Sequence, residues 1–131
     1  MLTMQWTAGF ELGVAPMDRT HREFVDLYNA VKEAVDGGFL ARVDELIGHT
    51  EAHFEQENRW MDQVRFPPIA FHKGEHARVL DWLRQIRGAA AGGDSAGARD
   101  QLAQLPQWFE NHAATMDAAL AYYIRTTGYQ P

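Results

Sequence analysis

The chain has 131 residues, a formal charge of −6, no cysteine and six histidines. Its length favours a single domain over residues 1–131, and 46% hydrophobic residues with 23% charged ones are typical of a globular protein. The lack of cysteine excludes disulfides and thiolate sites, and the acidic balance argues against a nucleic-acid partner.

The sequence also argues against a membrane partner. No stretch reaches the roughly 18 consecutive apolar residues of a membrane span. The first basic residue is Arg19, so we expect no secretory signal. These features favour a cytoplasmic location.

The predicted elements begin with an N-terminal arm, residues 1–17, whose apolar residues show no sustained period. Stripes of apolar residues at three- and four-residue steps then predict helices over about residues 18–37, 40–64, 69–88 and 95–127. Asp18 is the expected N-cap of the first helix, and Gly37-Gly38 is expected to end it. Pro106 should kink or split the last helix. Short connections favour an all-α fold, an antiparallel up-down-up-down four-helix bundle.

Five histidines and two carboxylates fall on or beside these stripes, where core residues are expected: His21, His53, Glu57, His72, His76, His112 and Asp117. A single histidine on an apolar face is usually a hydrogen-bonded core residue, and a buried glutamate is usually paired with a basic side chain. Without a shared site, each of these seven residues would need its own hydrogen-bond or ion-pair partner in the core. One metal centre accounts for all seven residues together, so we predict that they are metal ligands.

The spacing of these residues supports a shared site. Residues four apart on an α-helix lie only about 40° apart around its axis. Two pairs have this spacing: His53 with Glu57, and His72 with His76. His112 and Asp117 are five apart, which is about 140° on a regular helix. A π-helical turn would bring Asp117 to the side of His112, so we predict one between them.

The ligand set also narrows the choice of metal. Seven nitrogen and oxygen donors are too many for one tetrahedral zinc, but they suit two ions that share carboxylates. Mixed donors of this kind favour iron, with manganese and zinc as weaker alternatives. The Glu-x-x-His pattern of ferritin-like di-iron proteins and the HExxH pattern of zinc proteases are both absent. The sequence therefore predicts a histidine-rich binuclear site of another kind.

Four segments together resemble the hemerythrin family, specifically its single-domain bacterial members. They are MDRTH (17–21), HFEQENRWM (53–61), HKGEH (72–76) and WFENHAATMD (108–117). They are similar to the first-helix His, HFxxE, HxxxH and HxxxxD motifs of the family, in the same order. Each motif alone is weak, but all four in a chain of this length are very specific.

This resemblance implies two iron ions with an oxo or hydroxo bridge that bind O2 reversibly, for oxygen storage, delivery or sensing. One iron would be held by His72, His76 and His112, the other by His21 and His53, with Glu57 and Asp117 bridging them. O2 would bind at the open position of the iron held by His21 and His53. The candidate walls of the O2 pocket are Phe24, Phe54, Met61, Trp108, Phe109 and Ala114, although plain core packing explains the aromatic residues and Met61 equally well.

Two departures from the family pattern concern the surroundings of the site. Ala113 and Ala114 stand where bulkier aliphatic residues are usual, which suggests a roomier pocket or an opening to solvent. His49 stands where an aromatic residue is common. It is either a boundary histidine beside the ligands or a group that moves protons near bound oxygen.

Two alternatives to an oxygen-binding protein stay open. The same irons would serve a di-iron enzyme that acts on peroxide or nitric oxide, and His49 with a wide pocket would favour it. The chain could also be a sensory module that signals to a separate protein, since it has no room for an output domain. We expect a binding protein rather than an enzyme, and the sequence indicates no particular protein partner.

Overall fold

The computed structural model describes residues 3–131, and in that range the regular structure is helical, with no β-strand. The elements are a 3₁₀ turn (Ala8–Phe10), α1 (Ala15–Glu33), α2 (Asp36–Val64), α3 (Ile69–Ala91), α4 (Ser95–Leu102), α5 (Leu105–His112), a π-helical segment (Ala113–Asp117) and α6 (Ala118–Thr127). Residues 1 and 2 of the predicted arm lie outside the described range. The predicted all-helical fold is confirmed, and three long helices with a divided fourth one are consistent with a four-helix bundle.

Helices that follow one another in the chain pack together, α1 on α2, α2 on α3 and α3 on α4, while α6 packs back against α2. Between α1 and α2, Glu23 contacts His49 and the ring of His21 contacts that of His53. Residue numbers therefore fall along one helix as they rise along the other, which is the order expected of antiparallel neighbours. None of the helices in residues 3–131 combines the length and the apolar character needed to cross a membrane.

The first helix begins at Ala15, before its predicted start, because Pro16 occupies the first turn. Proline is well tolerated there, since the N–H that it lacks has no partner within the helix. The prediction of Asp18 as N-cap was wrong. Its carboxylate instead accepts hydrogen bonds from the backbone N–H groups of Leu12 (2.7 Å) and Gly13 (3.3 Å), so it fastens the N-terminal arm to α1.

The connection between α1 and α2 also differs from the prediction. The break falls at Ala34 and Val35, and the Gly37-Gly38 pair lies inside the first turn of α2. Arg99 of α4 accounts for this position, because its guanidinium donates to the carbonyl of Ala34 (2.5 Å) and to the carboxylate of Asp36 (3.2 Å). A contact from a distant helix therefore places the break. Sequence periodicity does not contain that information.

The last helix is divided near Pro106, which lies in the first turn of α5, after α4 ends at Leu102. α2 ends at Val64, where Arg65 adopts the left-handed conformation (φ 54°, ψ 51°) just ahead of Pro67-Pro68. α3 runs to Ala91, beyond its predicted end. The cause is local, because Gly88 and the alanines after it continue the helical hydrogen bonding until Gly92 and Gly93 close it.

Two apolar clusters form the core. The first includes Phe24, Phe54, Leu83, Ile86 and Phe109, and the second includes Met17, Trp60, Met61, Leu120 and Ile124. Buried polar residues separate the clusters along the helices. His21 lies between Met17 and Phe24 in α1, and Glu57 lies between Phe54 and Trp60 in α2. The fold therefore encloses a polar layer between two apolar ones.

The N-terminal arm is held to α1 by the side chain of Asn29. Its Oδ1 accepts from the backbone N–H of Met4 (2.6 Å), and its Nδ2 donates to the carbonyl of Met4 (2.8 Å). We expect Asn29→Ala to lower the free energy of unfolding by about 1–3 kcal/mol, because two hydrogen bonds are lost. Urea denaturation of the full chain measures this change.

The matched control is Gln85→Ala, which removes an exposed amide from α3. It should change the free energy of unfolding by less than about 0.5 kcal/mol. Equal stability of the Asn29 and Gln85 variants would show that these two hydrogen bonds do not hold the arm.

Candidate metal centre

The structure brings all seven predicted ligands into one buried cluster. α1 contributes His21, α2 contributes His53 and Glu57, α3 contributes His72 and His76, and the divided last helix contributes His112 and Asp117. Each of these residues is buried, with at most 5% of its surface exposed. Neither lysine nor arginine is among the partners recorded for the two carboxylates in the described residues; their partners are imidazoles.

The predicted π turn is confirmed. Ala113–Asp117 forms a π-helical segment between α5 and α6. A π turn brings residues five apart to the same side of the helix, and here the Nε2 atom of His112 lies 3.1 Å from Oδ1 of Asp117. The unusual backbone thus places both side chains in the cluster.

The possible ligands form two groups that share one residue. In the larger group, one ligand atom from each residue lies within 4.8 Å of all the others; its members are Glu57, His72, His76, His112 and Asp117. The smaller group meets the same criterion and consists of His21, His53 and Glu57. The seven predicted ligands therefore form two overlapping groups, each of which could hold a metal ion.

The two oxygen atoms of Glu57 face different groups. Oε2 lies 2.7 Å from Nε2 of His53, whereas Oε1 lies 3.4 Å from Nε2 of His72 and 3.3 Å from Nε2 of His76. A carboxylate that bridges two ions must present one oxygen to each. Glu57 has the orientation that such a bridge requires.

Asp117 has the same arrangement. Its Oδ2 lies 3.1 Å from Nε2 of His21, and its Oδ1 lies 3.2 Å from Nε2 of His72 and 3.1 Å from that of His112. Asp117 lies within the larger group, and its second oxygen also reaches His21 of the smaller group. Both carboxylates therefore lie between the same two sets of imidazoles.

The donor atoms fit a metal better than they fit one another. Five buried atoms at the centre of the larger group make no hydrogen bond within the described residues: Glu57 Oε1, His72 Nε2, His76 Nε2, His112 Nε2 and Asp117 Oδ1. They approach to 3.1–3.4 Å, but not in the geometry of hydrogen bonds. Buried polar atoms without partners are costly and rare. Imidazole nitrogen and carboxylate oxygen are ordinary ligands of iron, manganese and zinc, so a bound ion would satisfy these atoms.

The charges in the cluster are strongly coupled. Burial by itself disfavours a protonated His21, but its hydrogen bond to Asp117 and the negative charge there raise its pKa to about 9. The pKa of His72 is likewise raised to about 9, against the effect of burial, by Asp117 and Glu57. Burial and mutual repulsion act to raise the carboxylate pKa values, but the histidines hold those of Glu57 and Asp117 below their usual range.

Two residues outside the cluster orient the histidines. Nδ1 of His21 lies 3.0 Å from the carbonyl oxygen of Phe10, and Nδ1 of His76 lies 3.0 Å from Oδ1 of Asn58. Partners of this kind fix the ring orientation of metal-binding histidines. Sequence reasoning missed both. A backbone carbonyl leaves no signal in the sequence, whereas an asparagine directly after Glu57 could have been noticed.

Three of the residues predicted as pocket walls, Phe54, Trp108 and Phe109, contact imidazoles of the cluster. Phe54 stacks on the ring of His76 (3.9 Å between centroids, 4° between planes), and Trp108 stacks on that of His112 (4.7 Å, 18°). On the other side, Phe109 meets His21 edge-on at 5.3 Å. These three rings pack directly against imidazoles of the cluster.

The remaining predicted pocket residues differ in their positions. Phe24 is buried and stacks on Phe109 at 4.4 Å, one ring further from His21. Met61 is fully buried but belongs to the second apolar cluster. Ala114 is exposed, so its prediction as a pocket wall was wrong. A residue two positions after His112 lies about 200° around a helix and faces away from it. Ala113 is buried instead and packs in the first apolar cluster.

His49 lies beside the cluster and is not part of it. Its ring centroid is 6.1 Å from that of His53, and its Nε2 contacts Oε1 of Glu23 at 3.1 Å. The side chain is 18% exposed. Burial lowers its pKa, partly offset by the hydrogen bond to Glu23. The two roles predicted for His49, boundary residue or proton carrier, both agree with this position.

Metal binding to protein prepared without metal should release protons. His21 and His72 hold their protons up to about pH 9, and a metal must displace them. The apparent affinity for iron(II) or zinc(II) should therefore rise from about pH 7 to about pH 9 and level off above that range. Calorimetry in buffers of different ionisation enthalpy measures the protons released, and binding at pH 7 without proton release would contradict these protonation states.

The chain matches the family model described as "Hemerythrin HHE cation binding domain" over residues 12–124. It is 39% identical to a bacteriohemerythrin of Ralstonia nicotianae over 128 residues, which cover 98% of this chain and 93% of that protein. It is 25% identical to a bacteriohemerythrin of Stenotrophomonas maltophilia (95% and 84% covered) and 27% identical to a myohemerythrin of Sipunculus nudus (86% of each covered). With these matches and the buried cluster of histidines and carboxylates, the chain belongs to the hemerythrin family.

Proposed function

We propose that this protein binds O2 reversibly at a non-haem di-iron centre, for oxygen storage, delivery or sensing. The observation that carries the proposal is the pair of buried carboxylates, Glu57 and Asp117, each with one oxygen toward each of two groups of imidazoles. The curated relatives carry the names bacteriohemerythrin and myohemerythrin, which supports the same function here.

The proposed ligand assignment follows the two groups of donors. One iron would be held by His72, His76 and His112 and the other by His21 and His53, and the two would share Glu57, Asp117 and an oxo or hydroxo group. The smaller group offers fewer imidazoles than the larger one. The iron with fewer protein ligands would be the one to take up O2, on the side of His21 and His53.

The residues of the chain hold and shield this centre. When bound, iron would supply the electrons that O2 takes up on binding and would recover them when O2 leaves. The carbonyl of Phe10 fixes the ring of His21, and Asn58 fixes that of His76. Phe54, Trp108 and Phe109 exclude water from the imidazoles with their ring faces and edges. A dry, apolar wall would slow irreversible oxidation of the iron, and an oxygen carrier needs this protection.

A second candidate function, a di-iron enzyme acting on peroxide or nitric oxide, is favoured by one observation. His49 connects the exposed carboxylate of Glu23 with the neighbourhood of His53, and such a group could deliver protons. A sensory module acting on a separate protein is a further use of the same O2 site. The cytoplasmic location stays a prediction.

Spectroscopy of the reduced, iron-loaded protein tests O2 binding. Anaerobic protein exposed to O2 should develop the visible absorption of an oxygenated di-iron centre and lose it when O2 is removed. Rapid oxidation with turnover of added peroxide would favour the enzyme instead. An iron-loaded protein whose spectrum does not change reversibly would contradict the proposed function.

The ligand assignment is tested by His53→Ala. We expect bound iron to fall from about two ions per chain to about one, because the smaller group loses an imidazole while the larger group is intact. Iron analysis after gel filtration measures the ratio, with circular dichroism to verify the helix content. His49→Ala, one turn earlier on α2, is the matched control and should keep about two ions per chain. Full iron content in the His53 variant would show that the assignment is wrong.

A further inference from the structure

We propose that Glu75 is a positioning residue of the metal centre, which acts by holding the indole of Trp108 over His112. The expected effect on oxidation rests on the proposed function, whereas the position of the indole does not depend on bound iron. Glu75 lies on α3 between two of the proposed ligands, His72 and His76, and is not itself in the cluster.

The contact between Glu75 and Trp108 joins two helices. The indole N–H of Trp108 donates to Oε1 of Glu75 at 2.8 Å. Among residues 3–131, this is the only hydrogen bond between α3 and the segment 105–127. Arg78 donates to the same carboxylate from the next turn of α3, with Nε 3.3 Å from Oε2. The carboxylate is 18% exposed, so it is largely shielded from solvent and held on both sides.

Trp108 in turn covers a proposed ligand. Its indole lies parallel to the imidazole of His112, with centroids 4.7 Å apart and 18° between the planes. The same indole meets Phe54 edge-on at 6.2 Å. His112 is only 5% exposed with the indole in this place. An indole has several rotamers, and the hydrogen bond to Glu75 selects the one that covers the imidazole.

The expected consequence concerns water rather than ligand number. Without the acceptor on Glu75, the indole samples other rotamers and water reaches the face of His112. The number of bound irons stays unchanged, because Glu75 is not a ligand. The oxygenated protein becomes oxidised faster, because its apolar wall is open part of the time.

The positioning is measured on the indole N–H of Trp108 in the full chain without iron. Nitrogen-15 labelling of the tryptophans gives one indole signal each, and Trp108→Phe identifies the signal of Trp108. We expect Glu75→Ala to speed hydrogen exchange of this N–H about 10-fold or more, as the loss of a hydrogen bond to a charged group predicts. Glu75→Gln keeps an acceptor oxygen and should restore slow exchange to within about 3-fold of the native rate.

The structure offers a matched control on the same helix. Asp81 is paired with Arg84 three residues later, as Glu75 is with Arg78, but in the described residues no tryptophan N–H donates to its carboxylate. Asp81→Ala should leave the exchange of the Trp108 N–H unchanged. Unchanged exchange in Glu75→Ala, or equal acceleration in Asp81→Ala, would overturn the proposal.

The consequence is measured as the rate at which the oxygenated, iron-loaded protein is irreversibly oxidised. Glu75→Ala should raise this rate about 3-fold or more at unchanged iron content. In a Trp108→Phe background the same change should have no further effect, because Glu75 acts through the indole. An equal effect in both backgrounds would contradict this route. If the native protein does not bind O2 reversibly, the proposed function fails, while the exchange data still decide the role of Glu75.

Discussion

Two carboxylates buried among five imidazoles are the constraint on which the rest of this structure depends. Glu57 and Asp117 have no exposed surface, and a buried charge is tolerated only when it is paired. Histidines on all four helical stretches supply those partners, yet several donor atoms stay without a hydrogen bond. A metal that binds the folded chain satisfies them, so metal binding and folding stability are coupled.

The helices and the N-terminal arm enclose and orient this layer of buried polar residues. Apolar clusters lie above and below it along the helices, so that the layer is sealed at both ends. The π-helical segment between α5 and α6 turns Asp117 toward His112. In a regular α-helix, two residues five apart would not face the same side. The N-terminal arm also supports the cluster. The carbonyl of Phe10 contacts Nδ1 of His21, and Asn29 of α1 holds the arm by hydrogen bonds to Met4.

Much of the fold and of the candidate site could be predicted because the relevant signals are local. Helical periodicity shows which side chains point inward, and polar residues on an apolar stripe reveal a site; even the five-residue step from His112 to Asp117 implies a π turn. Signals that depend on distant contacts were missed. Asp18 binds the arm rather than capping a helix, and Arg99 sets the break before α2. The exposure of Ala114 is a different case, because its position two residues after the inward-facing His112 already places it on the opposite face of the helix.

We propose that the two groups of donors hold two irons that share the carboxylates of Glu57 and Asp117. Mössbauer spectroscopy of the oxidised protein loaded with iron-57 tests it most directly. We predict two iron sites of equal intensity with antiferromagnetic coupling, and therefore no electron paramagnetic resonance signal from the bulk of the iron. A single iron site per chain, or uncoupled iron with the resonance of isolated ferric ions, would contradict the account.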